Sequence, residues 1–129
     1  MSVTRLGSGG PWESVYGYCR VVRAGDLAWT AGCTSTVDGA VTHVGDAAAQ
    51  TAQALRIGLD ALAEVGAEPG DVVRTRMYVT DRTYADEVGR AHNAVLGAVR
   101  PAATMVVVAG LLHPDHLVEV ELEAYLGDR

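Results

Sequence analysis

The sequence predicts one α/β domain of the α+β kind, in which a mixed β-sheet carries two helices on one face. Three observations favour this fold class. β-rich runs alternate with two amphipathic helical segments, turn signals recur at short intervals, and no repeat, linker or low-complexity stretch divides residues 1–129. Because two helices can cover only one face of a sheet, the other face must meet something else, and we expect self-association through it.

The N-terminal strands are predicted from two β-rich runs, residues 18–24 and 27–33. Gly25-Asp26 separates them and is a strong signal for a two-residue hairpin. In that hairpin Tyr18 would lie opposite Cys33, and Arg20 opposite Ala31, with all four side chains on one face of the sheet. A second turn is predicted at Asp38-Gly39.

The first helix is predicted over residues 47–65, where four apolar residues recur at helical spacing. Asp46 is a good N-cap, and Gly66 supplies the stop. The repeating apolar residues are Ala52, Leu55, Leu59 and Leu62.

A strand and a second helix follow. Residues 72–80 alternate between two faces, which is the pattern of a half-buried strand. One face carries Val73, Thr75, Met77 and Val79, and the other carries Arg74, Arg76 and Tyr78. Asp81 is the expected cap of a helix over residues 83–99, which ends before Pro101 because proline disfavours helix in the preceding residue.

The last two strands differ in pattern. Residues 103–109 form a run that is apolar apart from Thr104, which favours a central strand covered on both faces. Residues 117–125 alternate, so one face is apolar and turned to the helices while the other is acidic. The acidic set is Glu119, Glu121 and Glu123.

Composition excludes several classes of function. The net charge is −6, and all ten cationic side chains are arginines scattered along the chain, so binding to nucleic acid is disfavoured. Without lysine, no side chain can form a Schiff base with a carbonyl substrate. No membrane-spanning run or signal peptide is evident, and the two cysteines are too few for a disulfide framework. We therefore expect a soluble cytoplasmic protein with no membrane partner.

Several short motifs, in this order and spacing, resemble the RidA/YjgF superfamily, which is also called endoribonuclease L-PSP-like. The resemblance covers nearly the whole chain and rests on Tyr18-Cys19-Arg20, Gly25-Asp26, Ala31-Gly32-Cys33, Gln50-Thr51, Gly66, Gly70-Asp71-Val72-Val73, Val79-Thr80-Asp81, Pro101-Ala102-Ala103-Thr104 and Val118-Glu119-Val120-Glu121. It implies a chorismate-mutase-like fold and a homotrimer with a central β-barrel, in which small molecules bind in clefts between subunits.

The resemblance also implies a reaction. Members of the family hydrolyse reactive enamines and imines to ketones and ammonia, with an arginine that binds the substrate carboxylate and a glutamate that positions water. Glu121 is the predicted counterpart of the glutamate, whereas Ala103 stands where the arginine is expected. Because a methyl group cannot replace a guanidinium, we expect an altered specificity and hypothesise that Arg20 supplies the lost charge from another wall.

The sequence therefore predicts an enamine or imine deaminase-like hydrolase, or a tautomerase, with Glu121 and Arg20 as catalytic residues. The expected substrate-binding residues are Tyr18, Ala31, Cys33, Ala103 and Thr104. Neither a cofactor nor a metal is expected, because an activated substrate needs only positioned water and charge stabilisation. The alternative is a trimer of the same kind that binds a metabolite without turnover, or acts as a chaperone.

Each predicted site residue also has a structural interpretation. Glu121 can belong to a stripe of glutamates neutralised by Arg74 and Arg76, and Arg20 can pair across a subunit interface. Cys19 and Cys33 are more typical of packed thiols than of nucleophiles. Other residues of potential chemistry have structural interpretations too: His113-Pro114-Asp115-His116 is typical of a solvated turn, and Trp12-Glu13 either covers a neighbour's cleft or packs at the edge.

Overall fold

The computed structural model describes residues 2–127 and contains a mixed six-stranded sheet with helices on one face. The strands are β1 (Val3–Leu6), β2 (Val21–Ala24), β3 (Leu27–Thr30), β4 (Thr36–Val37), β5 (Ala40–Val41), β6 (Val72–Val79), β7 (Ala102–Val107) and β8 (Val118–Tyr125). The helices are α1 (Pro11–Tyr16), α2 (Ala47–Glu64) and α3 (Ala85–Leu96). The sheet order is β1-β2-β3-β8-β6-β7, and β4 and β5 form a separate hairpin.

The hairpins form where the sequence predicts them. β2 pairs with β3 in the register Val21↔Thr30 to Ala24↔Leu27, so Gly25 and Asp26 are the two turn residues. Gly25 has a φ of +59°, which a residue without Cβ adopts without strain. The β4–β5 turn is formed by Asp38-Gly39, both in the left-handed region.

Helix α2 begins and ends as predicted, to within one residue. The Asp46 side chain accepts a hydrogen bond from Ala49 N at 3.0 Å, and Gly66 takes a φ of +94° just past the C-terminus. The helix lies close to the sheet at Gly58, where a Cβ would stand 2.5 Å from Leu122 Cδ1. The small residue therefore lets α2 pack directly on β8.

Helix α3 is shorter than predicted. Asp81 accepts a hydrogen bond from Thr83 N at 2.8 Å, but it caps a 3₁₀ turn over Arg82–Tyr84 that leads into the helix. The helix itself runs over Ala85–Leu96 and ends ahead of Pro101, as the proline requires.

Strand β6 alternates as predicted from Arg74 to Val79 but not at its start. Val72 pairs with Ala124 and Arg74 with Glu123, so two residues of β6 occupy one step of β8 and form a bulge. The extra residue reverses the alternation, and Val72 is buried while Val73 is exposed. The prediction that Val73 shares a face with Thr75, Met77 and Val79 was wrong for this reason.

Strand β7 is also placed differently from the prediction. It pairs in parallel with β6 alone and is therefore an edge strand, not a central one. Its apolar side chains stay largely exposed in the single chain, Val107 at 55%. The apolar run predicts a strand covered on both faces, but an edge strand has one neighbour and stays exposed in the single chain.

The N-terminal segment has more structure than the sequence indicates, because β1 pairs antiparallel with β2 and α1 follows it. In α1 the rings of Trp12 and Tyr16 stack with centroids 5.5 Å apart. No helix within residues 2–127 has the length and apolar character that crossing a membrane requires.

Candidate functional site

The face of the sheet away from α2 and α3 carries alternating acidic and basic side chains. Three glutamates of β8 point to this side, while Val118, Val120 and Leu122 point to the helices. We call this side the open face. Residues of β6 stand opposite the glutamates in register: Glu119↔Tyr78, Glu121↔Arg76 and Glu123↔Arg74.

Glu121 and Glu123 are held by β6. The Tyr78 hydroxyl donates to Glu121 Oε1 at 2.7 Å, and Arg76 Nη1 lies 2.8 Å from Glu123 Oε1 and 3.6 Å from Glu121 Oε1. The hydrogen bond to Glu121 raises the pKa of Tyr78, and the one to Glu123 raises the pKa of Arg76. These contacts fit the structural interpretation of Glu121, with Tyr78 in the place expected for Arg74.

Glu119 has a different environment on the same strand. It is half-buried, and among residues 2–127 its carboxylate receives no hydrogen bond and forms no ion pair. Burial raises the pKa of Glu119, the charge of Glu121 raises it further, and Arg20 opposes both. The carboxylate lies over Gly32, where any Cβ would collide with it.

Arg20 lies at the same end of the sheet. Its Nη1 donates to the carbonyl oxygen of Gly32 at 2.6 Å and lies 3.5 Å from Cys33 Sγ. The side chain is half-buried and forms no ion pair with a carboxylate of the described chain. Thus Arg20 neither points freely to solvent nor is neutralised by structural carboxylates, and it brings a positive charge close to Glu119.

A bulge in β3 decides where Cys33 points. Trp29 pairs with Glu123 and Cys33 with Val120. The chain thus advances by four residues from Trp29 to Cys33 but by only three along β8, which leaves one extra residue on the first side. The Thr30 hydroxyl fills the gap by accepting a hydrogen bond from Leu122 N at 3.1 Å. After the extra residue, Cys33 turns inward and is 1% exposed.

The predicted arrangement of the hairpin side chains is therefore only partly right. Ala31 N donates to Arg20 O at 2.9 Å, so these two residues do lie opposite each other. Tyr18 does not pair with Cys33, because its amide donates back to Glu13 O at the end of α1. Cys33 faces α2, not the open face, and burial raises the pKa of its thiol, which makes it a poor nucleophile.

Tyr18 and Ala31 do share a groove. It has a volume of about 570 Å³ and lies between α1 and the open face of β2 and β3. Arg5, Glu13 and Trp29 also line it. The groove is open to solvent and more apolar than polar.

The loop before β8 holds the histidines noted in the sequence. His113 Nδ1 accepts from Asp115 N at 3.0 Å, and His116 Nε2 is 2.8 Å from Thr36 Oγ1. The loop is tied to the fold by buried Gln50, whose side chain bonds Asp115 O and Leu117 N. Over the described range 2–127, no three His, Cys, Asp or Glu side chains converge as metal ligands would.

Comparison with known proteins agrees with this architecture. The family model for Endoribonuclease L-PSP matches residues 11–126. The chain belongs to this family, the YjgF/RidA family. The family resemblance inferred from the motifs is thereby confirmed, as is the mixed α+β fold with few helices.

Two solved structures and one protein sequence illustrate the similarity. A Mycobacterium tuberculosis member of the YjgF/YER057c/UK114 family is 46% identical with a TM-score of 0.87, covering 96% of this chain and 99% of its own. The YjgF gene product of Escherichia coli is 27% identical with a TM-score of 0.78, covering 94% and 92%. A Streptomyces coelicolor protein is 40% identical over 98% of this chain and 94% of its own.

Two of the predicted site residues are separated from Tyr18, Ala31 and Arg20 by intervening strands in a YjgF/RidA subunit. Ala103 and Thr104 belong to edge strand β7, and β6 and β8 separate that strand from β3. Thr104 Oγ1 accepts from Arg74 Nη2 at 3.1 Å, and Ala103 is exposed. One chain therefore does not bring Ala103 or Thr104 together with Tyr18 and Arg20.

Glu119 is a candidate that the sequence pattern did not single out, and the assignment of Glu121 stays a prediction. Three glutamates alternate along β8 with the same spacing, so the pattern alone does not distinguish them. The sequence signal for Glu119 is Gly32 in the Ala31-Gly32-Cys33 motif, because a glycine permits the side chain of a neighbouring strand to lie against the backbone. The register that pairs this segment with β8 depends on the bulge, which the sequence does not reveal.

Proposed function

We propose that this YjgF/RidA protein is a small-metabolite enzyme that catalyses the hydrolytic deamination or tautomerisation of a reactive enamine, imine or related unsaturated intermediate. Family membership supports a small-molecule role. The observation that carries the proposed chemistry is the half-buried Glu119, which has no hydrogen-bond partner among residues 2–127 and lies near Arg20.

Glu119 has the properties of a general acid and base. Burial raises the pKa of Glu119 above its ordinary value, a shift that favours exchange of a proton with a substrate. In the proposed reaction an enamine first takes a proton from solvent on carbon and becomes an iminium ion. Glu119 then accepts a proton as water adds to the iminium carbon, and returns it to the nitrogen of the resulting carbinolamine. The C–N bond breaks, ammonia leaves, and the hydroxyl proton returns to solvent as the ketone forms.

Arg20 would provide the positive charge of the site. Among residues 2–127, the guanidinium of Arg20 donates a hydrogen bond to one oxygen, that of the Gly32 carbonyl. Its other N–H groups are therefore available to an oxygen of a substrate. A charge supplied by Arg20, just before β2, and not from position 103 would accept substrates of a different shape from those of other family members. We therefore propose an altered specificity, with Tyr18 and Ala31 forming a further wall.

We also propose a homotrimer with the site between subunits. β7 exposes Val106 and Val107, and an apolar surface of this kind favours association. Because Ala103 and Thr104 lie on that strand, a neighbouring subunit could bring them to the Tyr18 side of the sheet. The free cysteines and the net charge of −6 suit a cytoplasmic protein that does not act on nucleic acid.

Ammonia release from freshly generated 2-aminoacrylate and from bulkier enamines tests this proposal. We expect Glu119→Gln to lower the rate by about 10²–10⁴-fold, since proton transfer by a positioned side chain contributes that much. Arg20→Ala should raise KM or abolish turnover, while the matched control Glu121→Gln should change the rate far less. Loss of activity in Glu121→Gln alone would instead support the original assignment of Glu121.

A second candidate function is metabolite binding without turnover, or a chaperone-like role. The methyl group of Ala103 favours it, because this position lacks the guanidinium that the family resemblance leads one to expect. Saturable binding of the same enamines with no ammonia release by the wild type, in an assembly of unchanged size, would favour this candidate over the enzyme.

A further inference from the structure

An imidazole and a buried hydroxyl meet between α3 and the sheet. His92 Nε2 of α3 is 2.9 Å from Thr75 Oγ1 of β6, and Thr75 is fully buried. His92 itself is half-buried, and its second ring nitrogen, Nδ1, has no hydrogen-bond partner among residues 2–127. In that range the buried side-chain polar atom that lacks a partner is Arg74 Nε, so Nδ1 of His92 is accessible to solvent.

His92 lies beside Ala103, the position at which the family resemblance leads one to expect an arginine. Thr75 and Ala103 are register partners in the parallel pair β6–β7, so both side chains point to the helical side. Helix α3 connects these two strands and therefore runs in the opposite direction. A Cβ on Gly89 would stand 3.8 Å from Met105 Cε. One turn further along α3 and two residues back along β7, the corresponding neighbours are His92 and Ala103.

The buried hydroxyl selects the tautomer of His92. Among residues 2–127 the Thr75 hydroxyl has no other hydrogen-bond partner. If Nε2 carried the ring proton and donated to Oγ1, the hydroxyl hydrogen would be left in the core without an acceptor, which is costly. The Thr75 hydroxyl therefore donates to Nε2, and the proton of the neutral ring is on Nδ1. An imidazolium would leave the hydroxyl hydrogen unpaired in the same way, so the neutral ring is favoured.

We propose that His92 is a substrate-binding residue of the proposed site, whose Nδ1–H donates to an uncharged carbonyl oxygen beside the methyl group of Ala103. Thr75 is the positioning residue that holds the ring in this tautomer. A neutral imidazole N–H polarises a carbonyl group without a permanent charge. The inference rests on the proposed function and its site between subunits, because β7 must meet the Tyr18 side of a neighbour for one substrate to reach both.

The chemistry at Ala103 favours an uncharged oxygen over a carboxylate. A carboxylate removed from water needs a cation or several donors, whereas His92 offers one neutral donor. Burial lowers the pKa of His92, and no charge of the described residues contributes to that shift. An amide, ester or ketone oxygen is satisfied by one good donor. The substrate class is therefore an enamine or imine that carries such a carbonyl group in place of a 2-carboxylate.

NMR of the histidine rings in the intact ¹⁵N-labelled protein tests the tautomer without requiring turnover. We expect the wild-type ring of His92 in the Nδ1–H form. In Thr75→Val the hydrogen bond that selects this form is removed, and the ring should populate both tautomers. Thr75→Ser keeps the hydroxyl and should keep the Nδ1–H form.

Binding of pyruvamide and of pyruvate then compares an uncharged with a charged group on the same ketone. We expect pyruvamide to shift the ring signals of His92 at a concentration about tenfold lower than pyruvate requires. The rings of His43, His113 and His116 are internal controls and should not respond. His92→Phe keeps a ring but removes the donor, and should weaken pyruvamide binding by about threefold to tenfold, the contribution of one hydrogen bond.

The outcomes separate this inference from the proposed function. An Nε2–H ring in the wild type, or a His92 response to pyruvate as strong as that to pyruvamide, would overturn the role of His92. So would ammonia release from 2-aminoacrylamide that is unchanged in His92→Phe, although the proposed function would then stand. Pyruvamide bound at His92 without ammonia release from any enamine would reject the proposed function and support the binding role.

Discussion

The two faces of strand β8 come from one alternating sequence but have opposite roles. Val118, Val120 and Leu122 are fully buried beneath the helices, with α2 drawn close at Gly58. On the other side, Glu119, Glu121 and Glu123 are half-buried, and the latter two are held by hydrogen bonds or ion pairs to β6. The helical face supplies stability by packing, whereas the open face supplies charge.

The alternation between the buried face and the open face is interrupted at one bulge. At the bulge between Trp29 and Cys33 the alternation slips by one residue, and a side chain expected on the open face becomes part of the core. The same irregularity leaves Gly32 beside Glu119 and the Gly32 carbonyl beside Arg20. The candidate site therefore lies at the break in the pattern, where regular strands would have placed paired side chains.

The largest expected effect is a loss of folding stability on the face of β8 that packs against the helices. Leu122→Ala should lower the free energy of unfolding by about 2–5 kcal/mol, because the truncation leaves a cavity beneath α2. Glu121→Ala, the next residue on the opposite face, should cost much less since its side chain is partly solvated. Chemical denaturation of both variants measures the difference, and equal losses would contradict the division between the faces.

An intermediate effect is expected at the bulge. Thr30→Val removes the hydroxyl that accepts from Leu122 N and leaves that buried amide without a partner, at a cost of about 1–3 kcal/mol. Thr30→Ser keeps the acceptor and should be closer to the wild type. If the serine and valine variants were equally destabilised in urea, the hydroxyl would not be what stabilises the bulge.

Much of the fold follows from local rules in the sequence. Gly25-Asp26 and Asp38-Gly39 form the hairpins, Asp46 and Gly66 bound α2, and alternation along β8 gives its two faces. Each of these features depends on the conformational preference of one or two residues, or on a simple period. Such signals do not need knowledge of what packs against them.

The errors share one cause, which is dependence on a partner strand. Val73 and Cys33 each follow an extra residue whose presence only the pairing with β8 reveals. The apolar run of β7 indicated burial, but its edge position leaves it exposed in the single chain. Among three equivalent glutamates, the choice of Glu119 likewise depended on long-range register, so the site was less predictable than the fold.

The smallest expected effect is on the pH dependence of folding stability, in which Glu119 and Asp81 should differ in sign. Because the pKa of Glu119 is raised on folding, the native state binds its proton more tightly than the unfolded chain does. The contribution of Glu119 to folding stability is therefore lost as the pH rises from 4.5, the ordinary pKa of a glutamate, through the raised pKa of Glu119 in the folded protein. Glu119→Gln should remove this loss and be slightly more stable than the wild type at neutral pH.

Asp81 provides a control of opposite sign. Hydrogen bonds from Thr83 lower the pKa of Asp81, so its contribution is present above 3.8 and is lost as pH falls through the lowered value. The stability difference between wild type and Asp81→Asn should thus shrink in acid, whereas that for Glu119→Gln should grow toward neutral pH. Urea unfolding across the pH range measures both. A Glu119→Gln variant less stable than the wild type at neutral pH would mean that the carboxylate stabilises the fold, and would weaken its assignment as the reactive group.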